Sequence, residues 1–167
     1  NKEALYFDGQ SFTFEELSNL IENFSSSLNF LGIKEKDVVT LYASNSWEWI
    51  VSYFSIARIG AIINPVNTML TPSEIKHVVN DCKAKAIITS SDKVQSIINI
   101  KNETSVSTLI SFGKAPQGAE AFNDLIEKET KPIEMPIISP EDLSTIGYTS
   151  GTTGHPKGAM QSHKSVV

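Results

Sequence analysis

The sequence predicts an α/β fold: a mainly parallel sheet with helices on both faces, preceded by a short N-terminal β-hairpin. Two observations carry the prediction. Short β-branched apolar runs alternate with longer stretches of helical apolar spacing, the pattern of right-handed βαβ crossovers. The run Val38–Ala43 is short, β-branched and apolar, as expected of a strand covered on both sides.

Taken in order, residues 4–13 read as the hairpin, because ALYF and SFTF flank Asp8 and Gly9, a pair that accepts the positive φ of a tight turn. Thr13 caps the next helix and Glu16 completes a capping box. Phe14, Leu17, Leu20, Ile21, Phe24, Leu28 and Leu31 recur at helical spacing until Gly32 stops the helix. Val38–Ala43 is a buried-type strand. A second helix starts near Asn45 or Ser46 and ends at Gly60, and Ala61–Ile63 forms a short strand ahead of Asn64 and Pro65. Thr71, Pro72 and Glu74 open a third helix with cap hydroxyl, first-turn proline and capping-box carboxylate all present. The alternation continues with a strand at Ala84–Ser90, a weaker helix at Asp92–Ile100 and a strand at Ser107–Phe112. Gly118–Thr130 follows as a helix, and Pro132, Pro136 and Pro140 then break the pattern into a linker over residues 131–142. Leu143–Ser150 reads as a strand running into a loop. In parallel sheets ligands bind at the carboxyl ends of strands, which is where the loop after Tyr148 belongs.

Composition narrows the function classes. At 167 residues, with 40% hydrophobic, 8% aromatic and 20% charged residues, the chain has the make-up of one soluble globular domain. No apolar run reaches the roughly 18 residues needed to span a bilayer, and the N-terminus lacks the pattern of a signal peptide. The formal net charge of −5, from 14 Lys plus Arg against 19 Asp plus Glu, argues against nucleic acid as the main partner. Cys82 is the single cysteine, so no intrachain disulfide can form; a reducing, cytoplasmic home is expected. The chain starts at Asn1 and stops at Val167, just after its most informative stretch, and is expected to be a piece of a longer protein.

That stretch is residues 148–158, YTSGTTGHPKG, with three glycines, three threonines, one serine and one lysine in eleven positions. Glycines let backbone N–H groups approach an anion, the hydroxyls of Thr149, Ser150, Thr152 and Thr153 donate to phosphate oxygens, and Lys157 offsets charge. A Walker loop needs glycine before the lysine and a metal-binding hydroxyl after it; here Pro156 and Gly158 stand there, which disfavours an ordinary P-loop NTPase. His155 and His163, eight residues apart without an adjacent carboxylate, lack zinc-site spacing, and no metal ligands are assigned. His77 reads as a surface or capping residue. Trp47 and Trp49 lie in a helix that must pack on the sheet, so one core and one surface role is expected. Cys82 reads as a small apolar residue, and Lys83 and Lys85 as a solvated face.

YTSGTTGHPKG resembles the phosphate-binding signature of the adenylate-forming superfamily, matching ten of the eleven positions of the pattern YTSGTTGxPKG, with His155 at the variable place. The resemblance runs across essentially the whole chain, through SFTFEELSNLIENFSSSLNFLGIKEKDVV, NSWEWIVSYFSIARIGAIINPVN and LTPSEIKHVVNDCKAKAIITS. Lys36 stands where many relatives have glycine before the aspartate, which bears on a turn. The resemblance implies that residues 1–167 form part of the larger N-terminal domain of an AMP-forming acyl-CoA synthetase acting on fatty or aromatic acids. INPVNTMLTPSEI favours such ligases over peptide-synthetase adenylation domains, which stay open as an alternative beside a non-enzymatic ATP-binding module. It also implies the roles: Thr149, Ser150, Gly151, Thr152, Thr153 and Gly154 around the β- and γ-phosphates, Lys157 offsetting charge as the catalytic candidate, and Gly158 letting the chain turn away. ATP, Mg2+, coenzyme A and a carboxylic acid are the implied ligands. The adenine contacts, the Mg2+ ligand and most of the acyl pocket are expected beyond Val167, so the chain alone is expected to be inactive and to present an unpaired sheet edge that invites self-association.

Overall fold

A computed structural model describes residues 2–128, 133–149 and 156–166. The chain opens with the antiparallel hairpin β1 (Glu3–Phe7) and β2 (Gln10–Thr13). Asp8 and Gly9 both take positive φ, 46° and 82°, the geometry that matches a two-residue turn to the twist of its strands.

Helix α1 (Phe14–Phe30) starts at the predicted capping box, with Glu16 N–H donating to Thr13 Oγ1 and the Glu16 carboxylate accepting from the Thr13 N–H. It ends where Gly32, at φ 87°, lets Ile33 N–H reach back to the Leu28 carbonyl and Gly32 N–H to that of Asn29. Strand β3 (Val38–Tyr42), helix α2 (Trp47–Arg58, capped by Ser46), strand β4 (Ile62–Pro65), helix α3 (Pro72–Asp81) and strand β5 (Ala86–Thr89) follow. Then come helix α4 (Val94–Lys101) and strand β6 (Thr108–Ser111).

The predicted helix from Gly118 is corrected. Glu120–Ala121 forms a short strand, β7, parallel to β6, and helix α5 occupies only Phe122–Glu127. Local spacing could not reveal this, because strand pairing depends on β6 lying alongside. After residues 133–142, which form no helix or strand, β8 (Leu143–Thr149) re-enters the sheet and pairs antiparallel with β9 (Lys157–Ser162), a strand not anticipated from the sequence; the short helix α6 (His163–Val166) follows.

Among the described residues the second sheet has seven strands in the order β7-β6-β5-β3-β4-β8-β9, parallel except for β9. Alternate residues of each strand serve opposite faces. Val39, Leu41, Ile63, Ala86, Ile88 and Ile110 pack with Phe24 and Leu28 of α1, Val51 and Ile56 of α2 and Phe122 of α5. Val38, Tyr42, Ile62, Ile87 and Leu109 pack with Ile75 and Val79 of α3 and Val94 and Ile97 of α4. Helices therefore cover both faces, as expected.

Small residues bring α1 and α2 together: Ser25 and Ser55 are fully buried and both hydroxyls donate to the Ile21 carbonyl. Aromatic rings tie the hairpin to this layer. Phe12 sits 5.3 Å from Trp47, and Trp47 lies edge-on to Phe122 at 5.7 Å. Both tryptophans are half-buried against this core, Trp49 stacking on Tyr53 at 5.4 Å, so the expected division into one core and one surface role does not hold. No helix of the described residues is long and apolar enough to cross a membrane.

Candidate functional site

The motif begins in β8, whose Ser144, Thr145 and Ile146 are buried and whose end, at Thr149, emerges into solvent. β8 and β4 share one ladder position, Ile63 beside Thr145, and a side chain supplies what the ladder does not. Asn64, fully buried in β4, donates from Nδ2 to the Ile146 carbonyl at 2.7 Å and accepts at Oδ1 from the Thr40 hydroxyl at 2.9 Å. One amide thus joins β3, β4 and β8. A buried amide with both ends satisfied specifies one register, because any slip strands its donors and acceptor without partners.

Register on the other side of β8 places the motif residues. Thr149 faces Lys157, Tyr148 faces Gly158, and Ile146 faces Met160. Of the sequence-predicted site residues, Thr149, Lys157 and Gly158 are therefore brought together, with Thr149 and Lys157 exposed at the carboxyl end of the parallel strands. Ser150, Gly151, Thr152, Thr153 and Gly154, like His155, lie outside the described residues. The chain does not turn at Gly158, which is the second residue of β9. Its missing side chain serves packing: a Cβ there would come within 3.0 Å of Ile146 Cγ2 and 3.1 Å of Tyr148 Cζ.

Tyr148 lies against this glycine and sends its hydroxyl to Asp81 Oδ2 at 2.5 Å. Burial first, and the bond to Asp81 second, hold the phenol far above its ordinary range, so it stays a donor. Next to Asp81, the Cys82 thiol is pushed up to about 11, chiefly by burial. That fits its reading as an inert apolar residue. Neither Asn64 nor Asp81 is marked by any motif. The one trace of Asn64 is a polar residue directly after the apolar run Ala61–Ile63, and Asp81 has no local signal at all.

The chemistry of the described residues suits an anion at the end of β8: a hydroxyl from Thr149 and an ammonium from Lys157 on facing strands. Among the described residues no group of three His, Cys, Asp or Glu side chains could hold a metal ion, so these residues do not by themselves fit Mg2+. A cavity of about 900 Å3 lies elsewhere, between α1, α2, residues 135–140 and α6, and no described motif residue lines it.

A mainly parallel sheet covered by helices on both faces defines the chain as an α/β protein, with Thr149 and Lys157 facing each other at a strand's carboxyl end. The chain belongs to the AMP-binding enzyme family, whose model matches residues 1–167. It is 31% identical over 166 residues to 4-coumarate–CoA ligase 4 of Arabidopsis thaliana, covering 95% of this chain and 29% of that protein. Over 167 residues it is 30% identical to the indoleacetate–CoA ligase of Aromatoleum aromaticum, covering 99% and 33% of the two. The crystal structure of an anthranilate CoA ligase in complex with anthranoyl-AMP superimposes with a TM-score of 0.92 at 32% identity, over 98% of this chain and 32% of that one. The chain thus spans about a third or less of the length of these relatives.

Proposed function

We propose that residues 1–167 are the N-terminal part of an AMP-forming acid–CoA ligase, in which a carboxylate attacks the α-phosphate of ATP and a thiol of coenzyme A then captures the acyl-adenylate. The observation that carries this reading is the position of Tyr148 and Thr149, which open YTSGTTGHPKG, at the carboxyl end of β8, with Thr149 and Lys157 on facing strands. Phosphoryl chemistry of this kind depends on positioning and charge stabilisation more than on covalent help from the protein. Thr149, Ser150, Gly151, Thr152, Thr153 and Gly154 hold the β- and γ-phosphates that leave as pyrophosphate. Lys157 offsets the charge they carry. Mg2+ supplies further charge neutralisation when bound, and its ligands belong to the remainder of the protein.

The substrate class is an aromatic rather than a fatty acid. The reading is supported by coumarate, indoleacetate and anthranilate, the acids named for the relatives above, all of which carry an aryl ring. A cytoplasmic location and a set of partners limited to ATP, coenzyme A and the acid go with it.

ATP–pyrophosphate exchange by the whole protein, over a panel of aromatic, fatty and amino acids, tests the proposal. Exchange that depends on aromatic acids, with residues 1–167 alone silent, is the expected result. Lys157→Ala in the whole protein raises the KM for ATP about tenfold, the worth of a charge-assisted contact. Exchange dependent on amino acids would instead favour a peptide-synthetase adenylation domain, and hydrolysis of ATP to ADP with no exchange would overturn adenylation altogether.

A further inference from the structure

The root of the motif is held by a contact from a distant helix. Asp81 is the last residue of α3, and Tyr148 stands 67 positions later in β8, two residues before the loop proper. A carboxylate at a helix C-terminus meets the negative end of the helix dipole, so α3 itself gains nothing from an acid there. What the acid does have is the Tyr148 hydroxyl, at 2.5 Å. The ring between them is pinned as well, because its cross-strand partner is Gly158, where any Cβ would meet Tyr148 Cζ at 3.1 Å and its hydroxyl oxygen at 3.3 Å. Asn64 holds the backbone of the same strand two residues earlier, through the Ile146 carbonyl. β8 is thus fixed at its middle by Asn64 and at its end by Asp81.

We propose that Asp81 is a positioning residue for Thr149 and Lys157: by holding the Tyr148 hydroxyl it fixes the end of β8, where Thr149 faces Lys157. The inference rests on the adenylating reading above and deepens it. Asp81 acts through Tyr148 and touches no substrate. Loss of the contact frees the ring and the last two residues of β8, so the cost falls on the placement of Thr149 against Lys157, and with it on ATP.

The test uses the whole protein with Asp81→Ala, Asp81→Asn, Tyr148→Phe and the double variant Asp81→Ala/Tyr148→Phe, assayed by ATP–pyrophosphate exchange. Asp81→Ala and Tyr148→Phe each raise the KM for ATP about tenfold, with the KM for the acid and the unfolding midpoint little changed. Asp81→Asn, whose amide oxygen still accepts from the hydroxyl, stays within about threefold of wild type. The double variant is no worse than either single one, since both remove the same bond. An unchanged KM for ATP in Asp81→Ala, multiplied effects in the double variant, or a lowered unfolding midpoint with an unchanged KM would each overturn the proposal. A wild-type protein without exchange on any acid would count against the adenylating reading itself. Equilibrium binding of ATP to the same variants then decides the positioning role, and equal affinity of wild type and Asp81→Ala would overturn it.

Discussion

Lys36 and Lys83 hold their backbones in the left-handed region, at φ 67° and 53°, where a side chain is strained and glycine is not. Both sit where the chain must reverse. Lys36 N–H bonds the Gly60 carbonyl at 2.8 Å ahead of β3, and Lys83 follows α3, where Ala84 N–H returns to the Val79 carbonyl. The glycine that the family resemblance implies at the first position would suit this turn without strain. Lys36→Gly and Lys83→Gly are each expected to raise stability by about 0.5–1 kcal/mol, read as a higher denaturant midpoint at unchanged slope. A lower midpoint would refute the strain. Cys82 makes a second residue-level prediction. Its thiol is raised from 9.0 to about 11, which leaves about a hundredfold less thiolate than an unperturbed cysteine near pH 8. Reaction of the folded protein with a disulfide reagent should be slower than that of the unfolded chain by about that factor, and equal rates would contradict the burial. Of the candidate site, the donors were legible in the motif because they are chemistry written locally. Asn64 and Asp81 were not, because each matters only through a residue tens of positions away.

At the scale of elements, the starts of α1 and α3 were the best-read features. The capping boxes of α1 and α3 close within four residues, so their signal is local and complete. Glu16 and Glu74 have carboxyl groups held below 4.5, first by the backbone N–H of Thr13 and Thr71 and then by their hydroxyls. A depressed folded-state value means stability that is present above the unfolded value and lost as pH falls through the folded one. The two helices should therefore lose support progressively in the acid range, and Glu16→Gln with Glu74→Gln should flatten the acid limb of the stability curve. Thr71→Ala, by contrast, should cost about 1 kcal/mol at neutral pH, measured by denaturation. Strands were less legible. β7 and β9 escaped the reading because a two-residue strand and an exposed strand of glycine, alanine and polar residues acquire their conformation from the partner that pairs with them.

For the whole molecule the consequential feature is the free edge of β9. Among the described residues nothing pairs with its outer side, and Met160 stands 74% exposed on it. An edge of this kind templates further pairing, and a charge on it is the usual remedy. Residues 1–167 are expected to self-associate with rising concentration in sedimentation runs, and Met160→Lys is expected to reduce the association. A clean monomer at high concentration would remove the edge from consideration. The same edge follows from the strand order, which runs outward from β3 to β4 on one side and through β5 and β6 to β7 on the other before the chain returns to place β8 beside β4.

The sequence by itself determined the class of the fold, the starts of α1, α2 and α3 and the hairpin at Asp8–Gly9, because each rests on periodicity, capping or turn geometry within a few residues. Only the tertiary structure decided the strand order, the antiparallel return of β9, the half-burial of both tryptophans, and the anchoring of the loop root by Asn64 and Asp81. Those depend on contacts between residues far apart in the chain, whose energies exist only once the sheet has brought them within hydrogen-bond reach.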